Sequence, residues 1–265
     1  MKFVHKEPVD SININVSSNR PFHDFLVLFF GSLGIILAVY LLLGLTVDLI
    51  ASKKNPDLER KLASFFPAKS NETTNADLER ILKGLLERVP PDGLEYSVSL
   101  VLDDKTENAV IFPGRKIHIY SGLLKNITSE NELAFILSHE IGHAENNDHI
   151  RGMGRGVSMI IMSTLIMGSD NTIGRIFADS ITKADRAYSQ AQESKADLFA
   201  LDLVNKHYGH ISGSTDFFAR LGKKEIPAVF FFATHPSSKT RIERMRKEIA
   251  LKGYKEGQKT AFRYQ

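Results

Sequence analysis

The longest apolar stretch of the chain lies near its N-terminus. From Phe25 to Val47 the sequence reads FLVLFFGSLGIILAVYLLLGLTV, twenty-three residues without a charge, bracketed by Asp24 and Asp48. As a helix this segment measures about 34 Å, which is enough to cross the hydrocarbon core of a bilayer. A cleaved signal peptide fits poorly, because twenty-four largely polar residues precede the run. The pattern predicts one transmembrane helix, with a fully buried core helix as the alternative.

Shorter periodic segments predict helices and strands in the rest of the chain. Apolar residues recur at helical spacing from Pro56 to Phe66 and from Asn75 to Val89, where a Pro-Pro pair ends the second helix. Alternating apolar positions predict a strand from Tyr96 to Leu102. A further strand is expected at Lys116 to Tyr120.

Capping signals and helical periodicity mark three later helices. Ser129 begins a capping box of sequence SENE, so a helix is predicted from Glu130. Another helical pattern covers Thr182 to Asn205. Ser238 can cap a last basic helix, which has these apolar residues on one face: Ile242, Met245 and Ile249.

A second apolar stretch, Val157 to Gly168, is too short at twelve residues to span a bilayer. It predicts a buried helix, and the alternative is an apolar surface that touches the bilayer or a substrate. The glycines just before it, Gly152, Gly154 and Gly156, lack the GxGxxG spacing of a phosphate-binding loop. We therefore interpret them as a flexible joint.

Composition narrows the possible chemistry. The chain has 265 residues, of which 43% are hydrophobic and 25% charged, so intrinsic disorder is excluded. A net charge of +3 is too balanced for a dedicated nucleic-acid binder. The absence of cysteine excludes thiolate metal sites, disulfides and a cysteine nucleophile. Any metal must therefore be bound by His, Asp or Glu.

The basic residues around the first apolar run bear on membrane orientation. Within similar distances, four follow the run and two precede it: Lys53, Lys54, Arg60 and Lys61 after it, and Lys6 and Arg20 before it. This difference favours a cytoplasmic location for the C-terminal bulk of the chain. Large domains can be translocated despite such charges, so the side of the membrane stays open.

The segment His139-Glu140-Ile141-Gly142-His143 is an HExxH motif within the helix that begins at Glu130. Histidines at i and i+4 lie on one helical face, so both imidazoles can bind one ion. Glu140 can then accept a proton from the water that attacks a carbonyl group. The motif predicts a zinc site that hydrolyses a peptide bond.

Two residues compete for the third metal ligand. Glu193 lies on the later predicted helix with Asp197 one turn away, so one carboxylate can bind zinc while the other hydrogen-bonds a ligating histidine. His149 stands where HExxHxxGxxH places its third histidine, with Asn146 in place of the glycine. Asparagine tolerates a left-handed turn better than most residues. We favour Glu193, because no clear methionine turn accompanies His149.

Further motifs occur in a fixed order around HExxH. They are NAVIFPG from Asn108, then Ile117 to Leu124, then ENELAFILSHEIGH, and later AQESKADLFAL and THPSSKTR. In this order they resemble the HtpX-like and CAAX prenyl protease-type zinc endopeptidases, family 48 of the metallopeptidases. The resemblance covers roughly Asp77 to Ile249.

The resemblance implies a gluzincin-type site. His139, His143 and Glu193 would bind one zinc ion, Glu140 would act as the base, and Asp197 would support a ligating histidine. A substrate peptide would pair with an edge strand composed of Lys116, Ile117, His118, Ile119 and Tyr120.

The resemblance also places a His-Pro…Arg element near the active site. It implies that His235 either stabilises the oxyanion or occupies the open position of the zinc. The alternative is that His235 caps a helix and Arg241 forms a structural ion pair. Two features depart from the family: Arg115 replaces a glycine, and one predicted anchor replaces several membrane helices, so prenyl-protein processing is unsupported.

These observations divide the chain into five expected segments. They are an N-terminal tail (1–24), a transmembrane helix (25–47), a juxtamembrane helical linker (48–74), a zinc metalloprotease domain (75–252) and a C-terminal tail (253–265) that frays. The expected fold class is mainly α with a small β-sheet (α+β), a zincin-like domain behind one membrane helix.

The sequence thus predicts a membrane-anchored zinc endopeptidase with one zinc ion per chain. Its expected partners are a polypeptide substrate, including membrane proteins, and the lipid bilayer, with no nucleic acid. One alternative is a membrane-tethered binding or chaperone-like protein whose zinc site is structural or blocked by His235. Another is a metzincin-like enzyme that uses His149.

Overall fold

The computed structural model describes residues 20–66, 70–167, 188–221, 235 and 239–264. These residues are mainly helical and include one small sheet, so the expected fold class is confirmed. By its contacts the chain divides into two compact units, Met1–Leu42 and Leu43–Gln265.

The first helix, α1, runs from Pro21 to Ala51. It contains the predicted span 25–47 and extends four residues beyond it at each end. Proline is favourable at the first position of a helix, because its missing N–H would have no helical partner there. Large apolar side chains along α1 are exposed, among them Leu28 and Leu42. Among the described residues, α1 is the one helix long and apolar enough to cross a membrane, judged by length and composition.

The other described helices fall in the second unit. They are α2 (Pro56–Ala63), α3 (Ala76–Leu86), α4 (Ser121–Leu124), α5 (Glu130–Glu145), α6 (Asp148–Met167), α7 (Gln190–Tyr208), α8 (Asp216–Leu221) and α9 (Lys239–Lys252). The helix predicted from Thr182 to Asn205 corresponds to α7, while residues 182–187 and Ser238 lie outside the described residues. On the predicted face of α9, Met245 is buried, and Ile242 and Ile249 pack against the same cluster.

Four strands form a mixed sheet. They are β1 (Glu72–Thr73), β2 (Ser97–Val101), β3 (Ala109–Phe112) and β4 (Lys116–Tyr120), arranged in the order β1-β2-β4-β3. The β2–β4 pair is parallel, and the other two pairs are antiparallel.

Strand β4 has the predicted bounds, but it lies inside the sheet. Ile117 is paired with Val98 on one side and with Ile111 on the other. The expectation that the edge strand is formed by Lys116, Ile117, His118, Ile119 and Tyr120 is therefore wrong. The β3–β4 hairpin places its second strand beside β2, which leaves β3 at one edge of the sheet that the described residues form. Strand β3 was missed because its sequence, AVIF, is a short apolar run without alternation.

Helix α5 is the central element of the second unit. It begins at the predicted residue, and the Ser129 hydroxyl oxygen accepts a hydrogen bond of 3.2 Å from the backbone N–H of Glu132. Every residue from Asn131 to Ala144 is buried. The helix packs against α7, α3 and the edge strand β3. The HExxH motif therefore lies within the buried part of α5.

The glycines ahead of the second apolar stretch are helical and do not form a joint. Gly152, Gly154 and Gly156 lie within α6. A Cβ atom at Gly154 would lie 2.6 Å from a methyl carbon of Val47, so the glycine permits close packing against the end of α1. Most side chains of the stretch Val157–Gly168 lie outside the described residues, so the choice between a buried helix and an apolar surface stays a prediction.

The C-terminal tail packs on the domain, so the expected fraying is wrong. Phe262 is 7% exposed and belongs to the main hydrophobic core. Its backbone N–H donates to the carbonyl of Thr128, and the carbonyl of Thr260 accepts from the N–H of Glu130. The tail thereby satisfies a backbone donor in the first turn of α5, which no helical carbonyl can reach.

Candidate metal centre

Helix α5 carries three of the predicted site residues. His139 and His143 lie one turn apart, and their Nε2 atoms are separated by 3.1 Å. Glu140 lies between them in sequence, and all three side chains are buried. The i, i+4 spacing accounts for this arrangement, because it places both imidazoles on one face of the helix.

Helix α7 brings two carboxylates to the histidines. Its N-terminus is fixed by a capping box between Ser189 and Gln192. Close approach to α5 is possible because Gly142 has no side chain; a Cβ atom there would lie 3.1 Å from the Cα atom of Ala196. Glu193 and Asp197 share the face of α7 that meets α5, as their spacing predicts.

Four buried residues form a group of possible metal ligands: His139, His143, Glu193 and His235. His235 Nδ1 lies 3.3 Å from His139 Nε2 and 3.1 Å from Glu193 Oε1. Glu193 Oε1 lies 3.5 Å from His143 Nε2.

The separations of these donor atoms fit a tetrahedral zinc ion. Zinc bonds of about 2.0 to 2.2 Å place tetrahedral ligand atoms about 3.3 to 3.6 Å apart. Five donor pairs lie 3.1 to 3.5 Å apart, with Glu193 facing His139 through Oε2 and His143 and His235 through Oε1, and one donor atom from each of the four residues lies within 4.8 Å of the others. Imidazole and carboxylate are also the ligand types that zinc accepts when cysteine is absent.

The outer nitrogens of the two α5 histidines each face a carboxylate. Asp197 Oδ1 lies 3.0 Å from His139 Nδ1, and Asp148 Oδ2 lies 3.0 Å from His143 Nδ1. An imidazole that donates its Nδ1–H to a carboxylate presents a lone pair at Nε2. The two Nε2 atoms, 3.1 Å apart, are then both available to one metal ion.

Arg241 joins the two carboxylates of α7. It donates two hydrogen bonds to Asp197, of 2.8 and 2.7 Å, and its third nitrogen lies 2.5 Å from Glu193 Oε2. The sequence-based alternative of a structural ion pair therefore describes its contacts, and that ion pair lies within the site. Burial raises the pKa of Asp197, but His139 and Arg241 outweigh burial and lower it.

Burial and charge act in opposite directions on the other titratable groups. Burial raises the pKa of Glu140 above its ordinary value. The same effect at Glu193 is outweighed by the surrounding histidines, which hold its pKa far below the usual range. Burial lowers the pKa of His139, but Asp197 and Glu193 raise it to about 9. Glu193 is thus held as an anion, the form that binds a metal, while Glu140 is suited to carry a proton.

His149 lies outside the group of possible ligands. Its Nε2 is 2.8 Å from Glu59 Oε1 on α2. The left-handed residue of the intervening turn is Asn147, with a φ of 54°, whereas Asn146 ends α5 in the right-handed region. The left-handed turn therefore lies one residue later than the metzincin glycine, and α6, which begins at Asp148, directs His149 toward α2. The metzincin-like alternative is wrong for this geometry.

Two residues beside the site were not singled out from the sequence. Asp148 contacts His143, and the ring of Tyr188 stacks on the His143 imidazole with centroids 3.8 Å apart. Asp148 follows the second histidine of the motif, His143, by five residues. This spacing is a sequence signal that could have identified it as a partner of that histidine. Tyr188 precedes α7 and gave no pattern that marks it.

An HExxH helix, a later helix that brings a carboxylate to it, and a mixed sheet with a strand beside the motif are typical of a zincin-type metallopeptidase domain. Comparison with known proteins gives the family. Residues 72–249, well over half of the chain, match peptidase family M48, and the chain belongs to this family.

Individual relatives support the assignment. The mitochondrial metalloendopeptidase OMA1 of Schizosaccharomyces pombe is 27% identical over 193 residues, which cover 71% of this chain and 55% of that protein. The metalloprotease LoiP of Escherichia coli is 24% identical over 199 residues, covering 73% of this chain and 77% of LoiP. The human metalloendopeptidase OMA1 is 26% identical over 161 residues, 54% of this chain and 30% of that protein. The chain thus spans about a third to a half of the length of these OMA1 proteins.

Proposed function

We propose that this protein is a zinc-dependent endopeptidase anchored in a membrane by residues 25–47. The observation that carries the proposal is the buried donor group of His139, His143 and Glu193 beside Glu140, in a domain of peptidase family M48. The three donors supply one carboxylate and two imidazoles, which is the set found in catalytic sites that keep a fourth position open.

The chemistry assigns each side chain a task. Zinc, when bound to His139, His143 and Glu193, supplies a Lewis acid that makes water a nucleophile near neutral pH. Glu140 accepts the proton of the attacking water and returns it to the leaving amine. Its raised pKa makes the carboxylate a stronger base for the first of these transfers. Asp197 and Arg241 keep the ligands in place.

Strand β3 is the surface that we propose for substrate pairing, in place of β4. It forms one edge of the sheet and packs against α5. The backbone N–H of Ile111 on this strand faces the Glu140 carboxylate. An extended polypeptide that adds to β3 would therefore run past the catalytic base.

The position of His235 is compatible with two functions of the site, an active peptidase and a permanently blocked binding protein. Its Nδ1 lies at ligand distance from the other donors, and its Nε2 is 3.4 Å from Glu140 Oε1. We propose that it occupies the fourth ligand position at rest and moves to the oxyanion when substrate binds. The second candidate function, a binding protein with a permanently blocked site, is favoured by the same contact.

The membrane proposal rests on the length, apolarity and exposure of α1. The excess of basic residues after the span favours a cytoplasmic catalytic domain. Membrane proteins are the substrates that an anchored domain of this kind meets at the highest local concentration.

The test of the mechanism is Glu140→Gln in the full chain, purified in detergent. We expect the variant to retain wild-type zinc content and to cleave fluorescently labelled casein at least about 100-fold more slowly, since a general base contributes about 10²- to 10⁴-fold. Glu95→Gln, on an exposed residue, is the matched control and should cleave normally. Wild-type cleavage by Glu140→Gln would exclude Glu140 as the base.

The test of the ligand set compares Glu193→Ala with His149→Ala. Zinc content, measured by atomic emission, should fall in the first variant and persist in the second. The reverse pattern would restore the metzincin-like site. If the folded wild type neither binds zinc nor cleaves casein, the protease proposal fails.

The blocked-site candidate has its own test. A blocked protein gains cleavage in His235→Ala, whereas an enzyme that uses His235 at the oxyanion loses rate.

A further inference from the structure

The turn between α5 and α6 contains a residue with a left-handed backbone. Asn147 adopts a left-handed backbone with a φ of 54°, a region that side-chain-bearing residues seldom occupy. Its buried side-chain amide donates a hydrogen bond of 3.1 Å to the carbonyl of Ala51, which stabilises this conformation. The reversal places the next residue, Asp148, beside Nδ1 at the edge of the His143 ring.

Asp148 is 1% exposed, and both of its oxygens have partners. Oδ2 lies 3.0 Å from His143 Nδ1. Oδ1 accepts a hydrogen bond of 2.8 Å from the Gln192 side chain, and Arg151 approaches the same oxygen at 3.5 Å. A buried carboxylate is costly unless it is hydrogen-bonded in this way. Its position therefore depends on α7 as well as on its own turn.

The face of the His143 ring is held by a second contact. The Tyr188 ring lies nearly parallel to the imidazole, at an interplanar angle of 21°. The Asp148 contact fixes the edge of the ring, and the Tyr188 contact fixes its face. Together they leave Nε2 of His143 directed at the other donor atoms.

We propose that Asp148 is a positioning residue for the peptidase reaction: it binds Nδ1–H of His143 and so fixes Nε2 for the metal. The inference rests on the proposed zinc site and extends it. On the other ligating histidine, His139, Asp197 has the corresponding position at the same 3.0 Å distance. A carboxylate partner both orients the ring and increases its basicity, and its loss costs about 10- to 100-fold in metal affinity.

The hydrogen bond from Gln192 also connects Asp148 to α7. Gln192, which binds Oδ1, is adjacent to the ligand Glu193. One carboxylate thereby joins the histidine of α5 to the helix that carries the third ligand. Displacement of α7 would change the orientation of His143 together with the position of Glu193.

The experiment measures zinc affinity by competition with a chelator, using the full chain in detergent. We expect the affinity to decrease in the order wild type, Asp148→Asn, Asp148→Ala, with a loss of about 10- to 100-fold for alanine. Asparagine keeps a neutral acceptor for Nδ1–H, so its loss should be smaller. Asp48→Asn is the matched control, because Asp48 approaches Arg151 at 3.6 Å and changes the local charge without contacting a ligand.

A cobalt-substituted sample provides a readout that a purely structural residue would not change. The visible absorption bands of bound Co²⁺ report the ligand geometry, and we expect them to shift in Asp148→Asn but not in Asp48→Asn. If Asp148→Asn keeps wild-type zinc affinity and cobalt bands, the positioning role is refuted, even when Asp148→Ala melts at a lower temperature. Wild-type zinc binding and cleavage in that case leave the proposed function standing. A folded wild type without zinc refutes both.

Discussion

Arg115 has a fully buried guanidinium that contacts carboxylates from three separate segments. It lies 3.3 Å from Glu59 on α2, 2.8 Å from Asp92 in a loop and 3.3 Å from Glu145 at the end of α5. Its backbone is left-handed, with a φ of 58°. A left-handed backbone favours glycine, which is the residue that the resembled family carries here. The Arg115 side chain is therefore present at a position where its backbone conformation is strained.

Substitution of Arg115 by alanine and by glycine separates the contribution of the ion pairs from the cost of the left-handed backbone. Breaking a buried ion pair costs about 3 to 5 kcal/mol. We expect a cost at the lower end of this range, because the carboxylates would keep other partners after Arg115 is removed, such as Lys54 beside Glu145. Alanine retains the strained φ, whereas glycine relieves about 1 kcal/mol of it. We therefore expect Arg115→Ala to lower the free energy of unfolding by about 3 kcal/mol and Arg115→Gly by about 2 kcal/mol.

Thermal unfolding of the full chain in detergent, followed by circular dichroism, tests these values. At roughly 2 to 4 °C per kcal/mol for a domain of this size, the melting temperature should fall by about 6 to 12 °C for alanine and about 4 to 8 °C for glycine. Arg60→Ala, which removes an exposed ion pair with Asp57, should change it little. The reasoning fails if Arg115→Gly melts like the wild type, or if glycine is no more stable than alanine.

Three other substitutions test the packing of α5 on α7, the packing of the C-terminal tail and the ion pairs of Glu59. Gly142→Ala should force α5 away from α7 and weaken zinc binding, measured by chelator competition; unchanged affinity would show that the helices can adjust. Phe262→Ala should lower the unfolding free energy by about 3 kcal/mol in urea titrations, because the ring belongs to the core. The pKa of Glu59 is lowered because His149 and Arg115 outweigh its burial, so its ion pairs stabilise the fold above pH 4.5 and this stabilisation is lost as the pH falls further. The stability difference between wild type and Glu59→Gln should therefore shrink below that pH, and a constant difference would contradict it.

Local signals in the sequence predicted the parts of the site that lie on single helices. The capping box at Ser129 located the start of α5, and the i, i+4 spacings placed His139 with His143 and Glu193 with Asp197. Each of these depends only on helix geometry, which a few neighbouring residues determine.

Local sequence patterns could not predict contacts between segments that are distant in the chain. Strand order depends on which strand of the β3–β4 hairpin meets β2, and both strands are apolar enough to do so. The choice of Asn147 over Asn146 as the left-handed residue depends on a hydrogen bond to Ala51, nearly a hundred residues earlier. The close packing of Gly154 against Val47 is equally remote in sequence.

The same distinction explains how the donor atoms reach metal-binding distance. The 3.1 Å between the two histidine Nε2 atoms follows from one helix, but the 3.5 Å from His143 to Glu193 requires α7 to approach α5 at Gly142. A Cβ atom at this position would lie 3.1 Å from the Cα atom of Ala196, so a larger residue would require α7 to shift although the four donor residues are unchanged in sequence. The HExxH motif thus specifies the chemistry of the proposed centre, whereas a residue without a side chain lets the proposed third ligand, Glu193, come close to the two histidines.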